Sequence, residues 1–291
     1  MNKKYAKLAD RFRYKPGTAI AAYPTHWQGI EKPKSHLKSA VKRFSDLQEK
    51  LYADDRFALL LVFQGMDAAG KDSTIKKVTS GVNPAGFQTH SFKAPTYEHN
   101  DRNFLWRHWA AMPARGMVGI FNRSYYEEVL VVRVHPEIVD SRKTPHKDIN
   151  EQFWQQRFED FRGMESHLNA NGVEVVKFFL NVSKEEQRER LLARLDRPEK
   201  NWKFNPSDVD ERAYWDDYQF AFQDAIQHTH AEHAPWYVIP ADHKPTMRAI
   251  VASVVVSTLE RLPLRFPEPE AEDVARFAEA RAVLEGDTPD Q

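Results

Sequence analysis

Short apolar runs alternate along this chain with longer stretches in which apolar residues recur every three or four positions. Five runs, 56–64, 86–92, 117–122, 173–181 and 236–239, have the length and the β-branched and aromatic content of strands. Between them the period lengthens to that of helices. Trp154, Phe158, Phe161 and Leu168 share one stripe of a helix predicted over 150–169, and Trp215, Tyr218, Phe222 and Ala225 share one over 210–228. The first run, ALLLVF from Ala58, has no polar alternation, which marks a parallel sheet covered on both faces. A three-layer α/β fold is expected.

The ends of the chain differ from its middle. Residues 1–50 carry twelve Lys or Arg against four Asp or Glu and are broken by Pro16, Pro24 and Pro33. They read as a basic N-terminal arm, either a solvated extension or an anion-binding segment. Residues 260–291 reverse the sign, nine acidic to four basic. Pro263, Pro267 and Pro269 set off an acidic C-terminal tail over 263–291 with one short helix over 271–284, leaving 51–262 as the domain proper. The longest nearly apolar run, 249–259, is far below the roughly 18 residues a membrane helix needs, and the start has no apolar export segment. Neither membrane binding nor export is expected.

Over the whole chain 42 basic side chains balance 42 acidic ones, so no global field steers a polyanion in. Positive charge must be gathered locally by the fold. The absence of cysteine excludes disulfides, thiolate nucleophiles and cysteine-ligated metals, and it suits the cytoplasm.

The sharpest chemical signal is GMDAAGK, from Gly65 to Lys71, directly after the first strand and opening a helix. This is the P-loop spacing in its required context. The glycines free the backbone so that the amides of Gly65, Ala68, Ala69, Gly70, Lys71, Asp72 and Ser73 surround a phosphate at the positive end of a helix. Lys71 adds a full charge. Asp72 replaces the usual hydroxyl residue and serves either a metal or the helix dipole. Asp67, inside the loop, would repel phosphates unless a divalent cation stood between them, so it is a candidate magnesium ligand. The run 117–122 then ends in Asn122 where a P-loop protein usually has Asp. Asn122 can orient a metal-bound water but adds no charge, which makes Glu127 the substitute carboxylate. A GTPase is excluded: DFRG at Asp160 lies within a helix, and no base-recognition motif occurs.

GMDAAGKD, FKAPT from Phe92, FLWR from Phe104 and FNRSYYEEVL from Phe121 together resemble polyphosphate kinase family 2, over about 57–239. The resemblance implies a P-loop kinase-like core with a helical lid, magnesium as cofactor, and reversible phosphoryl transfer between inorganic polyphosphate and AMP, ADP or ATP. Asn122-Arg-Ser with Glu127 resembles the branch that accepts both nucleoside mono- and diphosphates. A homo-oligomer, dimer or tetramer, is implied as well. Two departures stand out: Asn100-Asp-Arg-Asn103 precedes FLWR where a histidine between acids is usual, and the acid at position 122 is missing.

Ser183 to Glu186 forms a capping box, so a helix should start there and stop before Pro198. Arg190, Arg194 and Arg197 share one of its faces. They are either a solvated face, with Glu186 paired to Arg190, or the cationic clamp that phosphoryl transfer requires. The P-loop favours the clamp. A lid over 197–206 adds Lys200 and Lys203 around Trp202, and Lys93, Arg107 and Arg123 either track a phosphate chain or form structural ion pairs. Trp106 and Trp109 read as core, and His228, His230 and His233 as a solvent-facing helix end. In the phosphotransfer reading Asp67, Lys71, Arg123, Glu127, Arg190 and Arg194 act on the reacting phosphates. The rivals are an ATP-dependent nucleoside or nucleotide kinase, and a module binding polyanions or RNA. Zero net charge speaks against the latter, and no nucleic-acid partner is expected.

Overall fold

All five apolar runs become strands of one sheet: β1 (Ala58–Gln64), β2 (Phe87–Ser91), β3 (Val118–Asn122), β4 (Val173–Asn181) and β5 (Trp236–Pro240). The computed structural model describes residues 2–140, 142–145 and 148–286. Every strand pair is parallel and the order is β2-β3-β1-β4-β5, with Leu61 beside Ile120 on one side and Val176 on the other. β1 is buried along its whole length, as its unbroken apolar sequence demands. With β1 central, the residues after β1 and β3 meet at the carboxyl edge of the sheet, where open α/β folds bind ligands.

Two groups of helices cover the sheet. One contains Glu151–Ala170, started by the Asn150 side chain accepting from the Phe153 amide at 3.0 Å, together with Trp215–Thr229. The other is built on Lys244–Leu259, buried on nearly all sides among Lys3–Phe12, Pro33–Asp54 and the P-loop helix Lys71–Val78. The apolar run 249–259 is thus a core helix. No helix among the described residues is long and apolar enough to cross a membrane.

The basic arm expected over residues 1–50 is corrected here. Tyr5, Ala9 and Phe12 of the first helix and Ala40, Phe44, Leu47 and Leu51 of the second are buried in the main core. Their lysines line the outer faces, so the excess charge marks the solvent side of two amphipathic helices. The aromatic rings alone, at about 1.5–3 kcal/mol each, outweigh repulsion among exposed lysines. The acidic tail does form a helix, Ala271–Gly286, with no buried residue, and 287–291 lie outside the described residues.

Trp106 and Trp109 are also corrected. Trp106 is half-buried beneath the Arg102 guanidinium, 3.9 Å from the ring centroid, and Trp109 is exposed. The residue this single turn buries is His108, packed against Phe92, Phe121 and Tyr125. Burial, with Arg107 adding to it, lowers the His108 pKa from 6.5 to about 3. The unfolded chain takes up this proton below pH 6.5 while the fold resists it to about 3. Stability from His108 is therefore complete above pH 6.5 and falls progressively as the pH drops toward 3. His108→Phe should flatten the acid slope of urea-unfolding stability between pH 7 and 5, by up to about 1.4 kcal/mol per pH unit. An unchanged slope would show that His108 charges in the fold.

Candidate active site

Gly65 leaves β1 at φ 153° and Gly70 enters the next helix at φ 108°, conformations that side chains resist. A Cβ on Gly65 would also stand 3.0 Å from the Leu180 carbonyl. Between them Ala68 takes a left-handed φ of 60°, and the Ala69 amide closes on the Met66 carbonyl at 3.1 Å. The loop's carbonyls face the helix Lys184–Leu195. Arg190 donates to Ala68 O at 3.0 Å and Ala69 O at 2.7 Å through Nη1, and to Ala241 O at 2.6 Å and Asp242 O at 3.2 Å through Nη2. Its Nε pairs with Glu186 at 2.8 Å.

Of the two readings for that helix face, Arg190 follows the one that pairs it with Glu186. Arg190 is buried beneath the loop, its donors taken by four carbonyls and the Glu186 carboxylate. Arg194 pairs with Asp208 at 2.6 Å, and Arg197 is exposed with no side-chain partner among the described residues. The capping box is half formed: Ser183 accepts from the Glu186 amide, but Asp242 takes the Ser183 amide at 2.8 Å because Glu186 is committed to Arg190. Pro198–Lys203 is an exposed 3-10 segment, with Lys203 over the Trp202 ring at 4.9 Å and Lys200 half-buried.

Lys71 Nζ folds back onto the Gly65 carbonyl at 2.6 Å and the Met66 carbonyl at 3.3 Å. Burial, then nearby Arg123, lowers its pKa against the pull of Asp67, Glu127 and Asp72. Ser73 donates to Gly70 O at 3.1 Å, and Asp72 accepts from Nδ2 of the Asn122 side chain at 2.7 Å. Opposite the loop, Arg123 follows β3 at a left-handed φ of 62°. Its guanidinium reaches Asp67 at 2.7 Å and Glu127 at 3.4 Å. Glu127 raises the Arg123 pKa against burial, and Asp67 raises it further. Three predicted residues are thus joined, while Asn122 is turned to Asp72.

Asp67, Arg123 and Glu127 line a cavity of about 270 Å³ together with Asp208 and Glu211, which the sequence pattern does not single out. Burial, then the charge on Asp67, raises the Asp208 pKa. A second cavity of about 440 Å³ lies across the same turn, bounded by Glu128 and by Arg102, Arg107, Arg142, Lys143 and Arg157. Arg107 donates to the carbonyl of exposed Lys93 at 2.7 Å, and Arg157 lies 3.7 Å from the Phe104 ring centroid. Glu128 is held by both terminal nitrogens of Arg142.

The turn itself is anchored from below. Tyr125 and Tyr126 donate to Glu165 Oε1 at 2.7 and 2.8 Å, and Glu165 Oε2 pairs with Lys177 at 2.5 Å, both charges fully buried. Lys177 also donates to Tyr126 Oη and Thr229 O. The signal for this network is a charge in the apolar strand and another on an apolar helix stripe. The three histidines, expected to face solvent, are each partly buried: His228 stacks on Phe158, and His230 accepts from the Trp236 backbone amide.

A family model described as Polyphosphate kinase 2 (PPK2) matches residues 30–265. The ADP-polyphosphate phosphotransferase of Rhodopseudomonas palustris is 49% identical over 254 residues, covering 86% of this chain and 88% of that protein. The AMP/ADP-polyphosphate phosphotransferase of Meiothermus ruber is 45% identical over 229 residues, covering 79% and 82%. The crystal structure of polyphosphate kinase 2 from Arthrobacter aurescens TC1 matches with a TM-score of 0.85 at 37% identity, covering 94% of this chain and 96% of that one.

Arg190→Met should leave the carbonyls it serves without their donor and lower unfolding stability in urea at pH 7 by about 2–4 kcal/mol. A loss under about 0.5 kcal/mol would mean that water replaces the guanidinium.

Proposed function

This chain belongs to the polyphosphate kinase 2 family, and we propose that it moves a phosphoryl group reversibly between inorganic polyphosphate and nucleotides, AMP to ADP and ADP to ATP, with magnesium. The observation that carries this reading is the meeting of the P-loop with Arg123 at one sheet edge, Asp67 joining the two at 2.7 Å. The curated relatives are named for polyphosphate, which does not favour the ATP-dependent kinase. The same reading puts the enzyme in the cytoplasm as a homo-oligomer of two or four chains.

The attacking phosphate oxygen of the acceptor is already anionic, so the reaction needs alignment and charge neutralisation more than a general base. The loop amides and Lys71 hold the polyphosphate, Lys71 leaving the Gly65 carbonyl to do so. The larger cavity takes the nucleotide: its arginines meet phosphates, and the planar Arg157 and Phe104 groups suit a base. Arg123, which lines the smaller cavity, meets the transferring group.

The donor set suits magnesium, a hard cation that binds one or two carboxylates and completes its shell with water and substrate phosphates. Asp67 and Glu127 fill that role from one cavity, and no group of three such side chains is needed or found among the described residues. When bound, the ion supplies charge neutralisation between the polyanions.

Incubated with magnesium, AMP and polyphosphate but no ATP, the protein should form ADP, and faster than with ATP as donor; excess chelator should stop it. ADP formed only when ATP is supplied would overturn the reading. Acceptor range is tested at Glu127. Glu127→Asn should reduce AMP and ADP phosphorylation unequally and Glu127→Asp should be milder. Full activity with an unchanged AMP-to-ADP rate ratio would leave Glu127 as no more than a charge partner of Arg123.

A further inference from the structure

Arg190 does not hold the loop alone. Three residues earlier on the same helix, Gln187 Nε2 donates to the Asp67 carbonyl at 3.0 Å. One helix face therefore captures the carbonyls of Asp67, Ala68 and Ala69 in succession. The far end of Gln187 is occupied as well. Arg212 Nη1 donates to Gln187 Oε1 at 2.7 Å and to the Lys184 carbonyl at 3.1 Å.

The two partners fix which way the amide points, because a guanidinium only donates and a peptide carbonyl only accepts. A carboxylate at 187 would serve Arg212 and repel the carbonyl, whereas an ammonium would do the reverse. Of the three, only the amide bridges both. Gln187 is 2% exposed, so water does not stand in for either bond. A trans peptide points its N–H opposite its C=O, so holding the Asp67 carbonyl toward the helix aims the Ala68 N–H away from it. Arg212 lies in Glu211–Tyr214, after the lid expected over 197–206. Its neighbours Asp208 and Glu211 line the same cavity as Asp67.

We propose that Gln187 is a positioning residue for phosphoryl transfer, coupling the shape of the P-loop through one amide to the seating of Arg212 and the segment after residues 197–206. With Arg212 seated, the amide is locked and the loop keeps its phosphate-binding form. With Arg212 withdrawn, the amide loses its orienting donor and the loop relaxes. The kinetic arm of the test rests on the phosphotransfer reading above; a second arm does not.

Gln187→Met should lower kcat with saturating polyphosphate and AMP about tenfold, with a smaller change in KM, the expected effect of one lost buried hydrogen bond. Gln187→Glu keeps a partner for Arg212 and should fold, yet lose turnover similarly. Arg212→Met should lower kcat in the same direction, and the double variant Gln187→Met, Arg212→Met should fall no further than Gln187→Met alone. In the ligand-free protein, hydrogen exchange of a peptide covering 65–71 should quicken in Gln187→Met and Arg212→Met while that of 58–64 does not. Turnover of Gln187→Glu within about twofold of wild type, losses that multiply in the double variant, or unchanged loop exchange in Arg212→Met would each overturn the proposal. A wild-type protein that does not use polyphosphate would overturn the phosphotransfer reading instead, and loop exchange would then decide the coupling.

Discussion

A loop that turns several amides toward one anion must turn the matching carbonyls away, and those carbonyls need donors of their own. This constraint organises the carboxyl edge of the sheet. Water could serve exposed carbonyls, but it would not fix their direction. Here Arg190 and Gln187 serve three consecutive ones from a single helix. Arg190 also serves Ala241 and Asp242 after β5, so the P-loop, the helix and the end of β5 form one hydrogen-bonded body. The rigid five-donor fork of arginine can span four carbonyls and a carboxylate at once, which a lysine point charge cannot.

Charge follows the same economy of placement. The chain is neutral overall, and the cationic character the reaction needs appears only where the fold brings side chains together. Arg123 is the clearest case. Its two carboxylate partners raise its pKa against burial, while burial and Arg123 itself lower that of Lys71. Both cations are held by protein oxygens.

What was legible in the sequence was whatever depends on local pattern. The strands follow from uninterrupted apolar runs, and the P-loop from glycine spacing after a strand. Asp67, Arg123 and Glu127 could be named because they sit at strand ends, where the fold class itself directs attention. The first fifty residues misled because the lysine-rich faces of Lys3–Phe12 and Pro33–Asp54 hide a stripe that includes Ala40, Phe44, Leu47 and Leu51. Arg190 misled for a different reason: periodicity shows that Arg190, Arg194 and Arg197 share a face but not what that face meets. Gln187 was invisible, since a lone glutamine on a charged helix has no pattern until its partners from positions 67 and 212 are in place.

The buried Lys177–Glu165 pair shows how far such support extends from the site. Burying two charges costs about as much as their attraction returns, and apolar residues often fill such a space with equal or greater stability. Stability alone therefore does not account for the arrangement. Its distinctive feature is direction: Glu165 accepts from two successive tyrosines and from Lys177, and Lys177 also donates to Tyr126 and to the Thr229 carbonyl. An apolar filling would occupy the volume without orienting either hydroxyl. Tyr125 and Tyr126 follow Arg123 by two and three residues, just past its left-handed turn. The network thus anchors the turn from beneath, as Arg190 and Gln187 anchor the P-loop, and both sides of the site rest on buried, direction-specific hydrogen bonds.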